Sequence, residues 1–368
     1  MSITRTLGPR RVTRKVKIGD LFVGGGGPIL VQSMANVPTR EVDRCVEQIG
    51  RMVRENCEVV RLAVPTKADT AALREILGQV SVPIVADVHF HYQRAIEAIE
   101  AGVSKIRLNP GNISDRRQVE EVISACRANG VAIRVGVNQG SIRPRGSDRS
   151  DEDGSKDIAT LMIDKLGEYV RIFEDNDFDN LVLSAKCHDA AGCIAVNRAI
   201  SEKFDYPLHL GVTHGGTVRT GAVRSAVGMG TLLAEGIGDT IRVSLTGDPL
   251  VEIAVAWEIL NTLKLRDRQG PELIACPTCG RTEIDVAAMA EKVEKVLADI
   301  KSPITVAVMG CVVNGPGEAE GADVALCGGK NKAAIYRGGQ KVATVAAEMA
   351  VDALIEQVKI FIDDQNTK

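Results

Sequence analysis

Between Pro28 and Leu265 the chain repeats one pattern eight times. A short apolar β-branched run is followed by a longer stretch with apolar residues at helical spacing. The runs are Ile29–Met34, Val59–Val64, Ile84–Val88, Lys105–Leu108, Ala132–Val137, Asn180–Ser184, Pro207–Val212 and Thr240–Leu245. The helical stretches are Val42–Glu55, Thr70–Leu77, Tyr92–Ala101, Arg117–Ala128, Thr160–Asn176, Ala190–Glu202, Arg219–Gly236 and Val251–Leu263. Strands separated by helices form βαβ units and a parallel sheet. Eight units over about 250 residues have the size of a (β/α)8 TIM-type barrel. An open doubly wound sheet competes, but it would carry GxGxxG after its first strand. Here the glycine run Gly24–Gly27 precedes the first run and reads as a turn.

Aromatic residues are 3% of the chain while hydrophobic residues are 45%, so the core is aliphatic, as buried parallel strands require. The formal charge of −3 offers no cationic surplus for a polyanion, and no nucleic-acid partner is expected. No apolar run approaches ~18 residues, so no membrane span is expected. Met1–Lys17 is basic but lacks the apolar segment of a secretory signal, which makes a cytoplasmic location the expectation.

The barrel reading puts polar residues at the C-terminal strand ends. They are Gln32–Met34, Arg61, Asp87–His89, Arg107–Asn109, Arg134 with Asn138, Lys186, Thr213–His214 and Arg242–Ser244. In such barrels these ends meet at the face that carries active sites. Four arginines and a lysine converging there describe a pocket for a small, multiply charged phosphate ester, because guanidinium pairs phosphate bidentately. Gly140–Lys156 is long, charged and glycine-bearing, and reads as a lid or a surface insertion.

RDRQGP at 266–271 reads as a linker between a substrate domain, 1–265, and a small α/β domain, 272–368. The second domain should contain a strand at Leu273–Ala275, a helix at Asp285–Ile300, a strand at Ile304–Met309, a hairpin near Gly338–Gly339 and a final helix through Ile362. Nine cysteines are present. Cys45, Cys57, Cys126 and Cys193 lie in apolar or helical surroundings and read as small buried hydrophobes. Cys276-Pro-Thr-Cys279 with a distant Cys311 is a metal-site pattern. Zinc would need a fourth ligand, for which Cys327 is available. A redox dithiol would not need the third cysteine. An iron–sulfur cluster can take three thiolates and a variable fourth ligand. The turn Asn314-Gly315-Pro316-Gly317-Glu318 follows Cys311, and a Glu presented there could supply an exchangeable oxygen donor.

CPTCGR (Cys276–Arg281) and GCVVNGPGEA (Gly310–Ala319) closely resemble the 4-hydroxy-3-methylbut-2-en-1-yl diphosphate synthase family of the non-mevalonate isoprenoid pathway. VQSM (Val31–Met34), VADVHF (Val85–Phe90), RLNPGN (Arg107–Asn112), RVGVNQGS (Arg134–Ser141) and EGIGDTIRVSL (Glu235–Leu245) resemble it too, in order along nearly the whole chain. The resemblance implies a TIM barrel that binds 2-C-methyl-D-erythritol 2,4-cyclodiphosphate. It also implies a C-terminal domain with a 4Fe-4S cluster on Cys276, Cys279, Cys311 and Glu318. Two electrons from ferredoxin or flavodoxin would open the ring and expel a hydroxyl as water, giving (E)-4-hydroxy-3-methylbut-2-enyl diphosphate. By motif position, Arg61, Arg107, Asn109, Arg134, Asn138, Lys186, Arg242 and Ser244 would contact substrate. The catalytic candidates are Glu318, His214, Lys186 and Asp87. Family members are homodimers in which the cluster domain of one chain closes the barrel of the other. Cys327 is left without a ligand role.

One position departs from the family. Members usually read T-E-A-G after the seventh strand, with the Glu as an acid/base group, whereas this chain reads Thr213-His214-Gly215-Gly216. An imidazole can protonate a leaving hydroxyl as general acid. Two other readings stand beside the reductase. One is a diphosphate-binding relative that lost turnover through His214. The other is a zinc-stabilised barrel enzyme, colourless and dependent on Cys327.

Overall fold

The computed structural model describes residues 7–88, 91–109, 113, 115–142, 157–268, 270–313 and 315–366. It divides into two compact units, Met1–Arg266 and Asp267–Lys368. Among the described residues, no helix is long and apolar enough to cross a membrane.

The first unit opens with an antiparallel hairpin, β1 (Lys15–Ile18) and β2 (Leu21–Gly24). The repeat pattern did not predict it, because four-residue strands are too short to show a period. Eight parallel strands follow. They are β3 (Leu30–Met34), β4 (Val59–Val64), β5 (Ile84–Val88), β6 (Lys105–Leu108), β7 (Ala132–Asn138), β8 (Leu181–Lys186), β9 (His209–Leu210) and β10 (Thr240–Ile241). Their order is β8-β7-β6-β5-β4-β3-β10-β9, and a parallel bridge from Leu183 to Leu208 joins the two ends into a barrel. The expected strands at 207–212 and 240–245 thus contract to two paired residues each. The helices between them are α1 (Val42–Arg54), α2 (Lys67–Leu77), α3 (Tyr92–Ala101), α4 (Arg116–Asn129), α5 (Ile158–Asp175), α6 (Ala190–Lys203), α7 (Val218–Ala234) and α8 (Pro249–Thr262). Helix α2 starts three residues before its apolar pattern. The Asp69 carboxylate accepts from both the backbone N–H and the hydroxyl of Thr66, which satisfies the exposed helix start.

Period-2 alternation sorts the strand residues. Val60, Leu62, Ile84, Ala86, Ile106, Leu108, Ile133, Val135, Leu181 and Leu183 pack outward under the helices in the main core. The alternate positions face the barrel interior. At its lower end, Leu30, Val59, Val85, Ala132 and Val182 pack against Val16, Ile18 and Val23 of the hairpin and form an apolar floor. Above that floor the interior is polar.

The second unit is a five-stranded sheet of order β11-β12-β13-β14-β15. The strands are Glu272–Ala275, Thr305–Met309, Val324–Gly329, Lys332–Arg337 and Gln340–Ala346. Helices α9 (Val286–Leu297) and α11 (Ala350–Asn366) accompany it, and α10 is one turn at Gly315–Glu318. The hairpin expected near Gly338–Gly339 joins β14 to β15, with both glycines in the left-handed region that such a two-residue turn demands.

Candidate functional site

The polar interior of the barrel holds most of the cations picked out in the sequence. Register places Asp87, Arg107 and Arg134 side by side on β5, β6 and β7. All three are buried, as are Arg61, Asn109 and Lys186. Asn138 pairs in register with Lys186 at the upper ends of β7 and β8. Three of the arginines lie inside strands rather than at their ends, which corrects the sequence reading. Arg61, Arg107 and Arg134 reach the site because they occupy inward positions, two residues apart from other inward positions.

Ion pairing among these groups is incomplete. The Asp87 carboxylate stands 3.2 Å from the Arg107 guanidinium and 3.5 Å from that of Arg61. Arg242 donates to Glu252 at 3.2 Å, and the same carboxylate accepts from the Ser33 hydroxyl at 2.8 Å and the Leu245 N–H at 3.1 Å. Arg134 donates to the Ser184 hydroxyl at 2.6 Å, while its Nε and second terminal nitrogen have no partner. Among the described residues, no carboxylate forms an ion pair with Arg134, Lys186 or Lys105. Six cations therefore share two carboxylates, Asp87 and Glu252. Each unpaired buried ion carries a desolvation cost of several kcal/mol. Burial pulls Arg61 down to about 9, against the pull of Asp87, and it stays charged at neutral pH. Burial also drives Lys186 and Arg134 well below their ordinary values, with neighbouring arginines adding to the shift. A barrel interior with surplus cations and few acceptors suits an anion.

Two glycines make room for these side chains. A Cβ on Gly136 would come within 3.0 Å of an Arg134 terminal nitrogen, and one on Gly211 within 2.7 Å of the Lys186 Nζ. His214 sits outside this buried group. It is exposed, its backbone is left-handed at φ +53°, and its Nδ1 lies 3.3 Å from the Thr213 hydroxyl. Its loop is fixed at both sides. The Thr213 N–H donates to the Cys187 carbonyl at 2.9 Å, and the Thr246 N–H donates to the Gly216 carbonyl at 3.0 Å. Half-buried Ser244 adjoins the same loop, since a Cβ on Gly215 would meet its carbonyl at 2.5 Å. His89 and residues 143–156 of the expected lid lie outside the described residues, and His91 is exposed just before α3.

Reasoning from strand ends missed Lys105, Ser184, His209 and Glu252, all buried polar residues of the barrel. The available signal was parity. Lys105 alternates with Arg107 and Asn109, and Ser184 with Lys186, on strands whose other positions are apolar.

The cysteines of the second unit come together for a topological reason. β11 and β12 are parallel, with Ala275 opposite Val308, so Cys276 and Cys311 both emerge just beyond the C-terminal ends of neighbouring strands. The intervening turn is held by the Thr282 hydroxyl, which accepts from the Cys279 N–H at 2.9 Å. Thr278 inside it is left-handed at φ +62°, a costly conformation for a β-branched residue. Cys276, Cys279 and Cys311 line one hollow of about 140 Å³ with Arg281, Met309 and Gly315. The backbone and side chain of Arg281 donate to Cys279 and hold its thiol below the ordinary value. Among the described residues, no three or more His, Cys, Asp or Glu side chains are gathered to hold a single metal ion. The three cysteines surround a space instead. Cys327 is not among them. It is buried behind the hollow in an apolar cluster with Ala307, Met309 and Ala325, against which Cys276 packs, and it does not line the hollow. The one-turn α10 carries Glu318 directly after this hollow, and the Glu318 side chain lies outside the described residues.

Two family models cover most of the chain, the GcpE TIM-barrel domain over residues 13–257 and the GcpE protein C-terminal domain over residues 272–360. The chain belongs to the GcpE family. Relatives are named 4-hydroxy-3-methylbut-2-en-1-yl diphosphate synthase (flavodoxin). The one from Nitratidesulfovibrio vulgaris is 48% identical over 354 residues, covering 96% of this chain and 90% of that protein. The one from Clostridium perfringens is 46% identical over 350 residues, covering 95% of this chain and 99% of that protein. Among solved structures, dihydropteroate synthase from Stenotrophomonas maltophilia matches with a TM-score of 0.51 at 14% identity, over 68% of this chain and 97% of that one. That likeness concerns the barrel fold alone.

Proposed function

We propose that this member of the GcpE family reduces 2-C-methyl-D-erythritol 2,4-cyclodiphosphate to (E)-4-hydroxy-3-methylbut-2-enyl diphosphate, with flavodoxin as electron donor. The carrying observation is the barrel interior, where six cations, five of them buried, share two carboxylates. A cyclic diphosphate supplies the missing negative charge and a compact shape. The names of the relatives support the reaction and the donor.

In this reading Arg61, Arg107, Arg134, Lys186 and Arg242 hold the diphosphate, with Asn109, Asn138 and Ser244 as neutral partners. Asp87 holds Arg107 and Arg61 at fixed spacing. The reaction takes up two electrons and one proton. A ring carbon–oxygen bond opens onto the diphosphate, the adjacent hydroxyl leaves as water, and the double bond forms. His214 on the rim would deliver the proton to the leaving hydroxyl. Cys276, Cys279 and Cys311 would hold a 4Fe-4S cluster, with Glu318 as a replaceable fourth ligand. Soft thiolates set around a hollow suit a polynuclear iron centre. When bound, such a cluster supplies single electrons and a Lewis-acidic iron. The same reading expects a homodimer, which light scattering would test.

Anaerobic turnover tests the proposal. The reconstituted protein, given the cyclic diphosphate and reduced flavodoxin, is expected to be brown, to hold four irons per chain as the cluster requires, and to form the allylic diphosphate. A colourless, zinc-holding protein without product would overturn it.

A further inference from the structure

One tier of the barrel takes no part in this scheme. Below the arginines and above the apolar floor lie Gln32 on β3, Lys105 on β6 and His209 on β9, at 1%, 0% and 0% exposure. Among the described residues, Lys105 Nζ donates to the Gln32 carbonyl oxygen alone, at 3.4 Å. The Gln32 amide nitrogen, His209 Nε2, and Arg134 Nε and one terminal nitrogen are all buried without partners among the described residues. The Thr240 hydroxyl lies 3.5 Å from His209 Nδ1. With that hydroxyl donating to Nδ1, the hydrogen of the neutral ring sits on Nε2, which becomes a donor. Burial and the charges of Lys186, Arg134 and Lys105 keep the ring neutral.

The orphaned nitrogens of Gln32 and Arg134 are donors, and His209 Nε2 joins them in the tautomer whose Nδ1 accepts from Thr240. An unsatisfied buried donor costs about 1–3 kcal/mol, and more when charged. Random packing faults would leave acceptors and donors alike. A set of donors from four strands, with a cation among them and no carboxylate paired to it, asks for one dense acceptor. A water has two lone pairs, whereas a tetrahedral oxyanion presents several per oxygen.

The geometry points to an inner oxyanion subsite, formed by Gln32, Lys105, His209 and the lower edge of Arg134, that receives a phosphoryl group or a free inorganic oxyanion. The charged groups facing it are Lys186, Arg61, Arg107 and Arg242, and Asp87 is engaged with Arg107 and Arg61. Identifying the phosphoryl group as the substrate's own rests on the reductase reading, whereas the subsite itself does not.

The test is calorimetric titration of inorganic phosphate into the holoenzyme at constant ionic strength, for wild type and Lys105→Met, with steady-state kinetics on the same samples. Phosphate is expected to bind wild type and to weaken at least tenfold in the variant. If the subsite takes the substrate's phosphoryl group, phosphate competes with the cyclic diphosphate and KM rises at least tenfold with kcat little changed. If it takes a free oxyanion, phosphate binds alongside the substrate and KM stays put. Equal phosphate affinity in wild type and a folded Lys105→Met would overturn the subsite and leave its donors to water. Gln32→Leu replaces Lys105→Met if the latter does not fold, with the same tenfold loss expected. A wild type that binds phosphate but never turns over would defeat the reductase reading and spare the subsite.

Discussion

The Lys186 ammonium lies over Gly211, its Nζ 2.7 Å from where a Cβ on that glycine would stand. Gly211 does not have a left-handed backbone, so glycine is needed there for space rather than for conformation. A Cβ there would also stand 2.6 Å from the Arg242 carbonyl, so Gly211→Ala should displace both Lys186 and the Arg242 backbone. KM for the cyclic diphosphate should rise at least tenfold, because one charge-assisted contact is worth about 1.5–3 kcal/mol. Iron content should not change. A Gly211→Ala enzyme with normal KM would show that Lys186 does not touch substrate from this position.

The Asp87 carboxylate is the negative partner of both Arg61 and Arg107 inside the barrel. Asp87→Asn would leave two buried guanidiniums without it. Breaking a buried pair costs about 3–5 kcal/mol, and the unfolding midpoint should fall accordingly. Because the loss is one of charge balance, saturating pyrophosphate should recover more stability in Asp87→Asn than in wild type. Equal recovery in the two proteins, read by thermal unfolding, would contradict that account.

Lys186 and Lys105 give the free enzyme a pH signature. Burial first, then neighbouring arginines, holds both well below the ordinary 10.5. Between those lowered values and 10.5 the unfolded chain binds more protons than the folded one. Their contribution to stability therefore rises with pH through that window and is lost as pH falls through the folded values. A bound diphosphate reverses the shift, since an adjacent anion favours the ammonium. Between the lowered values and 10.5, substrate binding should therefore take up protons. Calorimetry in buffers of different ionisation enthalpy measures that uptake, and identical apparent enthalpies in all buffers would refute it.

Most of this barrel was legible in its residues, and the reasons for the remainder are physical. Val59–Val64, Ile84–Val88 and Lys105–Leu108 are strands with the limits their apolar runs suggest, because both flanks carry turn residues. The expected strands around His209 and Thr240 were too long, since pairing there ends where the barrel closes. Arg61, Arg107, Arg134 and Lys186 were visible as a group because their charges interrupt apolar runs. Lys105 and His209 were overlooked because attention to strand ends passes over the strand starts. The neutral roles of Cys45, Cys57, Cys126 and Cys193 follow from apolar surroundings, and each is buried.

The cysteines should separate chemically in cluster-free protein. Cys279 is exposed and its thiol is held low by Arg281, whereas burial raises Cys45 and Cys193 to about 11 and Cys57 and Cys187 to about 12. Since the thiolate is the reactive species, brief alkylation near neutral pH should modify Cys279 first, as mass spectrometry would show. Cys279→Ser should lose the cluster. Cys327→Ser should keep it and lose only stability, since Cys327 belongs to an apolar cluster. Iron loss in Cys327→Ser comparable to that in Cys279→Ser would return Cys327 to the ligand set.

The proposed reaction assigns proton delivery to His214. It is exposed, carried on a loop pinned by the Cys187 carbonyl and the Thr246 N–H, and held in a left-handed conformation that bulky residues seldom adopt. An imidazole carried on a pinned loop at the rim of a cationic barrel suits a proton donor. General-acid assistance contributes roughly 100- to 10,000-fold, so His214→Ala should lower kcat at least tenfold, with KM and iron content unchanged. His214→Glu should restore turnover with a different pH dependence. A general acid fails as pH rises through its pKa, and a carboxylic acid ordinarily loses its proton near ~4.3 against ~6.5 for an imidazolium. Exchanging an imidazole for a carboxyl at this position should therefore change the pH dependence of kcat. Superimposable profiles, or undiminished turnover by His214→Ala, would remove His214 from the proton path and leave the pinned loop as a binding element alone.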